Sequence, residues 1–268
     1  MKIDKSAEQF IKLLEIVEKL RGPNGCPWDK EQTPASLLPY FLEETYEVIE
    51  SIDQSNWDNL KEELGDVMLH VALQAQISKE EGRFTIFDTL VNINKKLVHR
   101  HPHVFGNEKT DMASHAKKNW EAIKHEEKKR ESRLDGVPLA LPALTRAQRL
   151  QEKASYAGFD WDNINSVWEK LDEEIDELRE ADKSKDISDL EEEIGDVLFS
   201  VVNLARHLKL DSEDLLRRAN SKFINRFKAI EKELAKRGRT IDEAKLDEMD
   251  EIWDQIKSQK SKDNPIIR

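Results

Sequence analysis

Cysteine is almost absent from this chain of 268 residues, in which only Cys26 occurs. An intramolecular disulfide is therefore excluded, and so few thiols suit a reducing compartment. The first ten residues, MKIDKSAEQF, are polar and unlike a secretory signal. Apolar runs are too short and too often interrupted to span a bilayer. We therefore expect a cytoplasmic protein with no membrane partner.

Positive charge is also in deficit, because 43 Lys and Arg residues face 55 Asp and Glu residues, for a net charge of −12. An acidic chain repels a phosphate backbone, so we expect no nucleic-acid partner. Phosphorylated small molecules remain compatible with such a chain where a divalent cation lies between the two negative partners.

Turn-forming residues are sparse, with 9 Gly and 8 Pro, which disfavours a β fold with many turns. Apolar residues instead recur at spacings of three and four, as at Phe10, Leu13, Leu14, Val17 and Leu20. This period places them on one face of a helix. We predict an all-α fold, a helical bundle.

An internal repeat organises the chain. The segments 41–50 and 59–71, FLEETYEVIE and NLKEELGDVMLHV, return at 170–180 and 189–201 as KLDEEIDELRE and DLEEEIGDVLFSV. Four acids keep a constant spacing of 130 residues between the copies. They are Glu44, Glu47, Glu63 and Asp66 in the first copy, and Glu174, Glu177, Glu193 and Asp196 in the second.

Further landmarks extend the repeat in the same order. Lys96 and Arg100 precede Lys222 and Arg226 by 126 residues, which implies four extra residues in the first copy around 78–85. A Trp-Asp pair precedes each copy, and NWEAIK or IWDQIK follows it. Two unrelated hairpins that share Glu and Leu by composition would not reproduce this order.

A charged stretch that leads into a proline-containing one separates the two copies, between about 126 and 143. We therefore predict tandem four-helix units, with an N-terminal domain at 1–128 and a C-terminal domain at 140–268.

The spacing of the acids in one copy predicts that their side chains lie close together. Glu174 and Glu177 share one helix face, and Glu193 and Asp196 share a face of the next helix. A short connection between the helices predicts an antiparallel hairpin in which the four carboxylates converge. Such convergence is unfavourable without a cation, and Mg²⁺ prefers oxygen ligands. We predict a Mg²⁺ site with one or two ions.

A solvated acidic face is the ordinary explanation of a single pair of acids. With acids at 55 of 268 positions, pairs three apart arise by chance at about eleven places. Duplication favours the metal site, as does a glycine inside each second pair, Gly65 and Gly195. A helical glycine costs about 1 kcal/mol relative to alanine, which suggests that something approaches the backbone there.

A basic pair accompanies the acids. Lys222 and Arg226 lie four apart and recur as Lys96 and Arg100, which favours contact with phosphates over a solvated face. The sequence contains no P-loop, no dinucleotide-binding glycine motif and no Ser-His-Asp signature.

The pattern EExxE followed by ExxD, at 173–177 and 193–196, resembles the signature of the all-α nucleoside triphosphate pyrophosphohydrolases. The segments at 20–33, 96–106 and 157–162 are similar to the MazG family in its two-domain bacterial form: LRGPNGCPWDKEQT, KLVHRHPHVFG and AGFDWD. The resemblance covers essentially the whole chain. It implies a homodimer of MazG-type four-helix units. It also implies Mg²⁺-dependent hydrolysis of NTPs and dNTPs, with broad base specificity, to the monophosphate and pyrophosphate.

The resemblance also implies site residues, mainly in the C-terminal copy, to which the family's catalysis is usually credited. The metal ligands map onto Glu174, Glu177, Glu193 and Asp196. The substrate contacts map onto Lys170, Leu171, Asp172, Glu173, Glu174, Asp189, Leu190, Glu191, Glu192, Asp196, Lys222, Phe223, Ile224, Asn225, Arg226 and Trp253. Two acids next to ligands, Glu173 and Glu192, are candidates for the catalytic base. The acids of the first copy are intact, so a second active site there stays open.

Two other functions remain open. One is a helical regulatory module that binds a nucleotide without hydrolysing it. The other is a hydrolase of the same superfamily that is restricted to dUTP or dCTP. The complete set of acids favours turnover, and the two-domain organisation favours broad specificity.

Overall fold

The computed structural model describes residues 5–106, 113–128 and 131–263. Those residues form helices and contain no strand, which confirms the all-α prediction. Backbone contacts group the chain into two compact units, Met1–Ala116 and Lys117–Arg268. The boundaries 1–128 and 140–268 stay a prediction about segments that fold on their own. Residues 129–130 of the predicted linker and 264–268 of the second domain lie outside the described residues.

The described residues of the first unit up to 106 form four long helices and two short ones. They are α1 (Lys5–Arg21), α2 (Pro27–Glu31), α3 (Leu38–Asp53), α4 (Trp57–Glu80), α5 (Ile86–Arg100) and α6 (Pro102–Phe105). Helices α1, α3 and α5 all pack on α4. A core of Val17 on α1, Ala72, Leu73 and Ile77 on α4, and Leu37 just before α3 forms there, each residue at most 3% exposed.

The second unit repeats this arrangement and adds helices at both ends. It contains most of α7 (Ala113–Glu127), then α8 (Ala143–Tyr156), α9 (Ile164–Ser184), α10 (Ile187–His207), α11 (Ser212–Lys236), a 3₁₀ turn (Ile241–Glu243) and α12 (Leu246–Asp263). Helix α10 packs on α8 and α9, and α11 packs on α8 and α12. One core forms around Val167, Leu171 and Leu204, and another around Ile230, Leu234 and Ile252. None of the described helices is both long and apolar enough to cross a membrane.

The sequence repeat is visible in the backbone of the two helical hairpins. Ser55 and Lys185, at equivalent positions, have φ angles of 54° and 61°. The next residue caps the following helix in each hairpin: the side chain of Asn56 accepts a hydrogen bond from the Asn59 N–H, and that of Asp186 from the Ser188 N–H. A left-handed residue followed by a side-chain cap reverses the chain between two helices.

The four extra residues of the first copy lie at the end of α4 and in the loop that follows it. Relative to α10, helix α4 continues for three more residues, and the loop after it is one residue longer. Together these changes account for the four extra residues, close to the position inferred from the sequence. They follow the acidic segment, so the hairpin that carries the acids keeps the same length in both units.

Helix α7 is attached within the second unit by ion pairs to α8. Glu121 on α7 contacts Arg149 at 3.3 Å and Lys153 at 3.5 Å, and its side chain is only 11% exposed. Burial raises the pKa of the Glu121 carboxyl, whereas the neighbouring cations lower it, and the pKa lies below its ordinary value. Residues before the predicted linker therefore contribute to the packing of the second unit.

We expect Ser55→Gly and Lys185→Gly each to stabilise the protein. The left-handed conformation costs a side-chain-bearing residue roughly 1–2 kcal/mol, partly offset by the roughly 0.5–1 kcal/mol of backbone entropy that glycine loses. Each variant should gain up to about 1 kcal/mol in chemical denaturation. As a control, Lys183→Gly in the helical part of α9 should lose about 1 kcal/mol. Destabilisation of equal size in all three variants would contradict the prediction.

Candidate active site and metal centre

Three carboxylates converge in the second unit. Glu174 and Glu177 lie on α9 and Glu193 lies on α10, and one oxygen of each falls within 4.8 Å of the other two. Glu174 is buried, with 6% of its surface exposed. The predicted convergence of acids across the hairpin is therefore present for three of the four residues.

Glu193 is surrounded by the other acids of the hairpin. Burial raises its pKa, and the charges of Glu177, Asp196 and Glu174 raise it further. Its Oε2 atom has no contact with solvent and no hydrogen-bond partner in the described part of the chain. Asp196, one turn later, is exposed and lies outside the group within 4.8 Å. It acts on the cluster through its charge.

Lys170 lies next to this cluster, one turn before Glu174 on α9. Its Nζ atom is 2.9 Å from Glu174 Oε1 and 2.8 Å from Glu173 Oε1. The hydrogen bonds to these two carboxylates raise the pKa of Lys170 above its ordinary value. A lysine four residues before a glutamate is a helix pair that sequence spacing can detect, but only the structure shows that it contacts a residue of the acidic cluster.

The first unit contains an equivalent acidic cluster, formed by Glu44, Glu63 and Asp66, whose oxygens also lie within 4.8 Å of one another. Burial raises the pKa of Glu44 to about 7, with contributions from Asp66, Glu47 and Glu63. Burial and neighbouring acids, Glu47 first, also raise the pKa of Glu63. Both units therefore concentrate carboxylates at equivalent positions of their hairpins.

A buried histidine distinguishes the first cluster. His70, one turn after Asp66 on α4, is 7% exposed and lies 5.7 Å from the ring of Phe41. Burial lowers its pKa, whereas the charge of Asp66 acts in the opposite direction. The equivalent residue of the second unit is Ser200. Sequence reasoning gave His70 no role, although a residue-by-residue comparison of the two copies shows the difference.

The basic pair of the second unit is associated with an aromatic cluster. The Arg226 guanidinium lies 5.1 Å from the ring centre of Trp253, a cation–π distance. Phe223 lies 5.6 Å from Trp253 and 6.0 Å from Phe227. The Arg226 Nε atom is buried without a hydrogen-bond partner among the described residues, whereas Lys222 is exposed. Helix α12 thus brings Trp253 onto α11, a contact that sequence alone did not reveal.

The other residues implied by the family resemblance have different environments. Leu171 is 6% exposed and belongs to the core with Val167 and Leu204. Leu190 is half-buried. Exposed side chains belong to Asp172, Glu173, Asp189, Glu191, Glu192, Ile224 and Asn225.

The two glycines of the acidic hairpins have open surroundings. A Cβ atom added to Gly65 or Gly195 would meet no atom within 4 Å in the described residues, its own helix backbone aside. Packing within either unit therefore does not require these glycines. The helix surface beside Glu193 is accessible to a ligand or to another chain.

The second cluster fits a hard divalent cation. Its donors are carboxylate oxygens on two packed helices, burial and the neighbouring acids raise the pKa of Glu193, and Glu193 Oε2 lacks any donor partner in the described chain. A divalent cation would compensate this charge and satisfy that oxygen.

The chain is similar to a family of nucleotide hydrolases and to proteins of two bacteria. The family model described as the MazG nucleotide pyrophosphohydrolase domain matches residues 32–105 and 163–230, one segment in each unit. The chain is 49% identical over 250 residues to the nucleoside triphosphate pyrophosphohydrolase/pyrophosphatase MazG of Thermotoga maritima, covering 92% of this chain and 95% of that protein. It is 47% identical over 257 residues to the nucleoside triphosphate pyrophosphohydrolase of Escherichia coli K12, covering 94% and 98%.

A duplicated helical hairpin with acids at EExxE and ExxD places the protein in the class of all-α nucleotide pyrophosphohydrolases. Each family-model segment includes a different one of the two acidic clusters. The chain belongs to the MazG family, as the sequence resemblance indicated.

We expect Glu44→Gln to stabilise the metal-free protein at pH 8 but not at pH 5. The folded-state pKa of Glu44, about 7, exceeds the ordinary value of 4.5. Protonation therefore favours the folded state, and the stability that it provides is lost as pH rises from about 4.5 to about 7. Glutamine mimics the protonated form. Thermal unfolding in chelator, with exposed Glu43→Gln as the control, measures the effect. A gain of the same size at both pH values would refute this interpretation.

Proposed function

We propose that the protein is a nucleoside triphosphate pyrophosphohydrolase, which hydrolyses NTPs and dNTPs to the monophosphate and pyrophosphate. The observation that carries this proposal is the carboxylate cluster of the second unit, with three oxygens within 4.8 Å across one hairpin. The names of the relatives from T. maritima and E. coli, which align over nearly their whole length, support the same reaction.

Mg²⁺ is the cofactor that we propose. Glu174, Glu177 and Glu193 would hold it, with Asp196 as a further ligand or a nearby charge. Mg²⁺ suits this site because it takes oxygen ligands and usually retains positions for phosphate oxygens. When bound, it would neutralise negative charge on the phosphates and on the reacting oxygens.

The bond that we propose to break joins the α- and β-phosphates, with water attacking the α-phosphorus. Lys222 and Arg226 would then bind the outer phosphates, which leave as pyrophosphate. Arg226 is held against Trp253 at 5.1 Å, so its guanidinium has a defined position on α11. Phe223 and Trp253, 5.6 Å apart, offer aromatic surface to a nucleobase. Aromatic contact tolerates many bases, which accords with broad specificity.

The base that activates water is Glu173 or Glu192 in this proposal. Glu173 is bound to Lys170 at 2.8 Å, so its carboxylate is already engaged by an ammonium. Glu192 is exposed, and its charge contributes to the raised pKa of Glu193. These environments favour Glu192. Gln substitutions at the two positions, compared by kcat, would distinguish them.

A homodimer is the assembly that we propose. Each unit exposes an apolar stripe beside its acids at equivalent positions. Leu64, Met68 and Val71 are 42–48% exposed, and Ile194, Leu198 and Val201 are 46–54% exposed. Contiguous apolar surface of this kind marks an interaction site, and a symmetric pair of chains is the commonest way to cover it. The single cysteine favours a cytoplasmic location for this assembly.

We expect Glu193→Gln to lower pyrophosphate release from ATP at least about 100-fold with Mg²⁺. Glutamine keeps the size of the side chain but removes the charge that a cation requires. The fold should persist, because the substitution also relieves repulsion, and circular dichroism checks this. Glu180→Gln, an exposed change on α9, should retain full activity. A wild-type rate for Glu193→Gln would refute the site assignment.

A panel of eight NTPs and dNTPs with Mg²⁺ decides between the related functions. Broad specificity predicts monophosphate and pyrophosphate from most of the panel. Turnover of dUTP or dCTP alone would indicate the restricted hydrolase, and binding without any turnover would indicate a regulatory module.

We expect Leu198→Glu to convert the dimer into a monomer in light scattering at micromolar concentration. A charge in the centre of the apolar stripe would be buried without a partner at the interface. Ser188→Glu places the same charge at the exposed start of α10 and should leave the dimer intact. A monomeric mass for the wild-type chain would refute the proposed assembly.

A further inference from the structure

One difference between the acidic clusters of the two units is an ammonium group beside the second. In the second unit, the Lys170 ammonium lies 2.9 Å from Glu174 Oε1, and Glu174 is 6% exposed. Two-thirds of the Lys170 side chain is shielded from solvent. The ion pair therefore occupies a partly desolvated position, where Coulomb attraction is stronger than at a fully solvated surface.

The equivalent residue of the first unit is Tyr40, one turn before Glu44. Tyr40 is 44% exposed and makes an edge contact with Trp28 at 5.9 Å. The groups that act on Glu44 are Asp66, Glu47 and Glu63, which are all acids. Glu44 and Glu63 correspond to Glu174 and Glu193, so the duplication compares this shared pair of acids with and without an ammonium one turn away.

We propose that Lys170 is a positioning residue, a resident counter-cation that holds the Glu174 carboxylate in place and yields it to the incoming divalent metal. This inference rests on the proposed function, because it concerns the metal site of the second unit. A metal ion on the Glu174 carboxylate brings a second cation close to the Lys170 ammonium, and the two positive charges repel each other whichever oxygen the metal takes. Metal binding therefore weakens the bond from Lys170 to Glu174.

The freed ammonium has two fates on this surface. It can keep its ion pair with Glu173, whose Oε1 is 2.8 Å away, or it can turn toward the phosphates of a nucleotide. When nucleotide is present the ammonium turns toward the phosphates, whose negative charge exceeds that of one carboxylate. Metal and nucleotide then assist each other, since the metal releases the cation that the phosphates use. Removal of Lys170 should consequently strengthen metal binding in the absence of nucleotide and weaken nucleotide binding in its presence.

The test measures Mn²⁺ binding by the full-length chain without nucleotide, and electron paramagnetic resonance at pH 8.5 detects the bound ion. Glu44→Gln and Glu63→Gln in the background remove the first cluster, so that only the second unit is measured. Lys170→Met should bind Mn²⁺ about 10-fold more tightly than this background, an order-of-magnitude estimate for one screened charge near the ion. Lys170→Arg, which keeps the charge, should bind like the background. Lys183→Met removes an exposed lysine on the same helix, which pairs with Glu180, and should have no effect.

Unchanged or weaker Mn²⁺ binding by Lys170→Met, with helical content intact, would overturn the proposal, and so would a background protein that binds no Mn²⁺. Pyrophosphate release, assayed separately in the chain with an intact first cluster, should show a raised KM for the nucleotide in Lys170→Met. Tighter Mn²⁺ binding by this variant, with no pyrophosphate release even from the wild-type chain, would support the counter-cation and refute the proposed function.

Discussion

Mutual repulsion among carboxylates on two packed helices is the constraint on which the rest of the structure depends. In each unit, three acidic side chains bring an oxygen within 4.8 Å of one another. Burial and the charges of the neighbouring acids raise the pKa of Glu193, and that of Glu44 to about 7, so the folded state is electrostatically unfavourable when metal-free and ionised. The hairpins must therefore be held together by other contacts, and apolar cores behind the acids supply them.

The duplication preserves the hairpin while its surroundings differ. Ser55 and Lys185 adopt the same left-handed conformation at the two hairpin connections, and the extra residues of the first copy follow the acidic helices. Around this shared element, Lys170 replaces Tyr40 and Ser200 replaces His70. Two similar clusters thus have different neighbours, which gives a physical basis for different roles in the two units.

Sequence predicted the parts that depend on local periodicity. The all-α fold follows from apolar spacing, and the convergence of Glu174, Glu177 and Glu193 follows from two pairs at helical spacing joined by a short connection. Contacts between distant segments were not predictable in this way. The packing of Trp253 on Arg226 joins α12 to α11, and the ion pairs of Glu121 join α7 to α8. Both depend on how helices pack, which a periodic pattern alone does not encode.

The most direct measurement of the central claim follows the hydrolysis of ATP in ¹⁸O-labelled water by ³¹P NMR. The carboxylate cluster, with a divalent cation, is proposed to promote attack of water on the α-phosphorus. The predicted result is label in the monophosphate, none in pyrophosphate, and no reaction after exhaustive removal of metal with EDTA. Label in pyrophosphate, release of orthophosphate with a diphosphate product, or turnover that survives chelation would contradict the account.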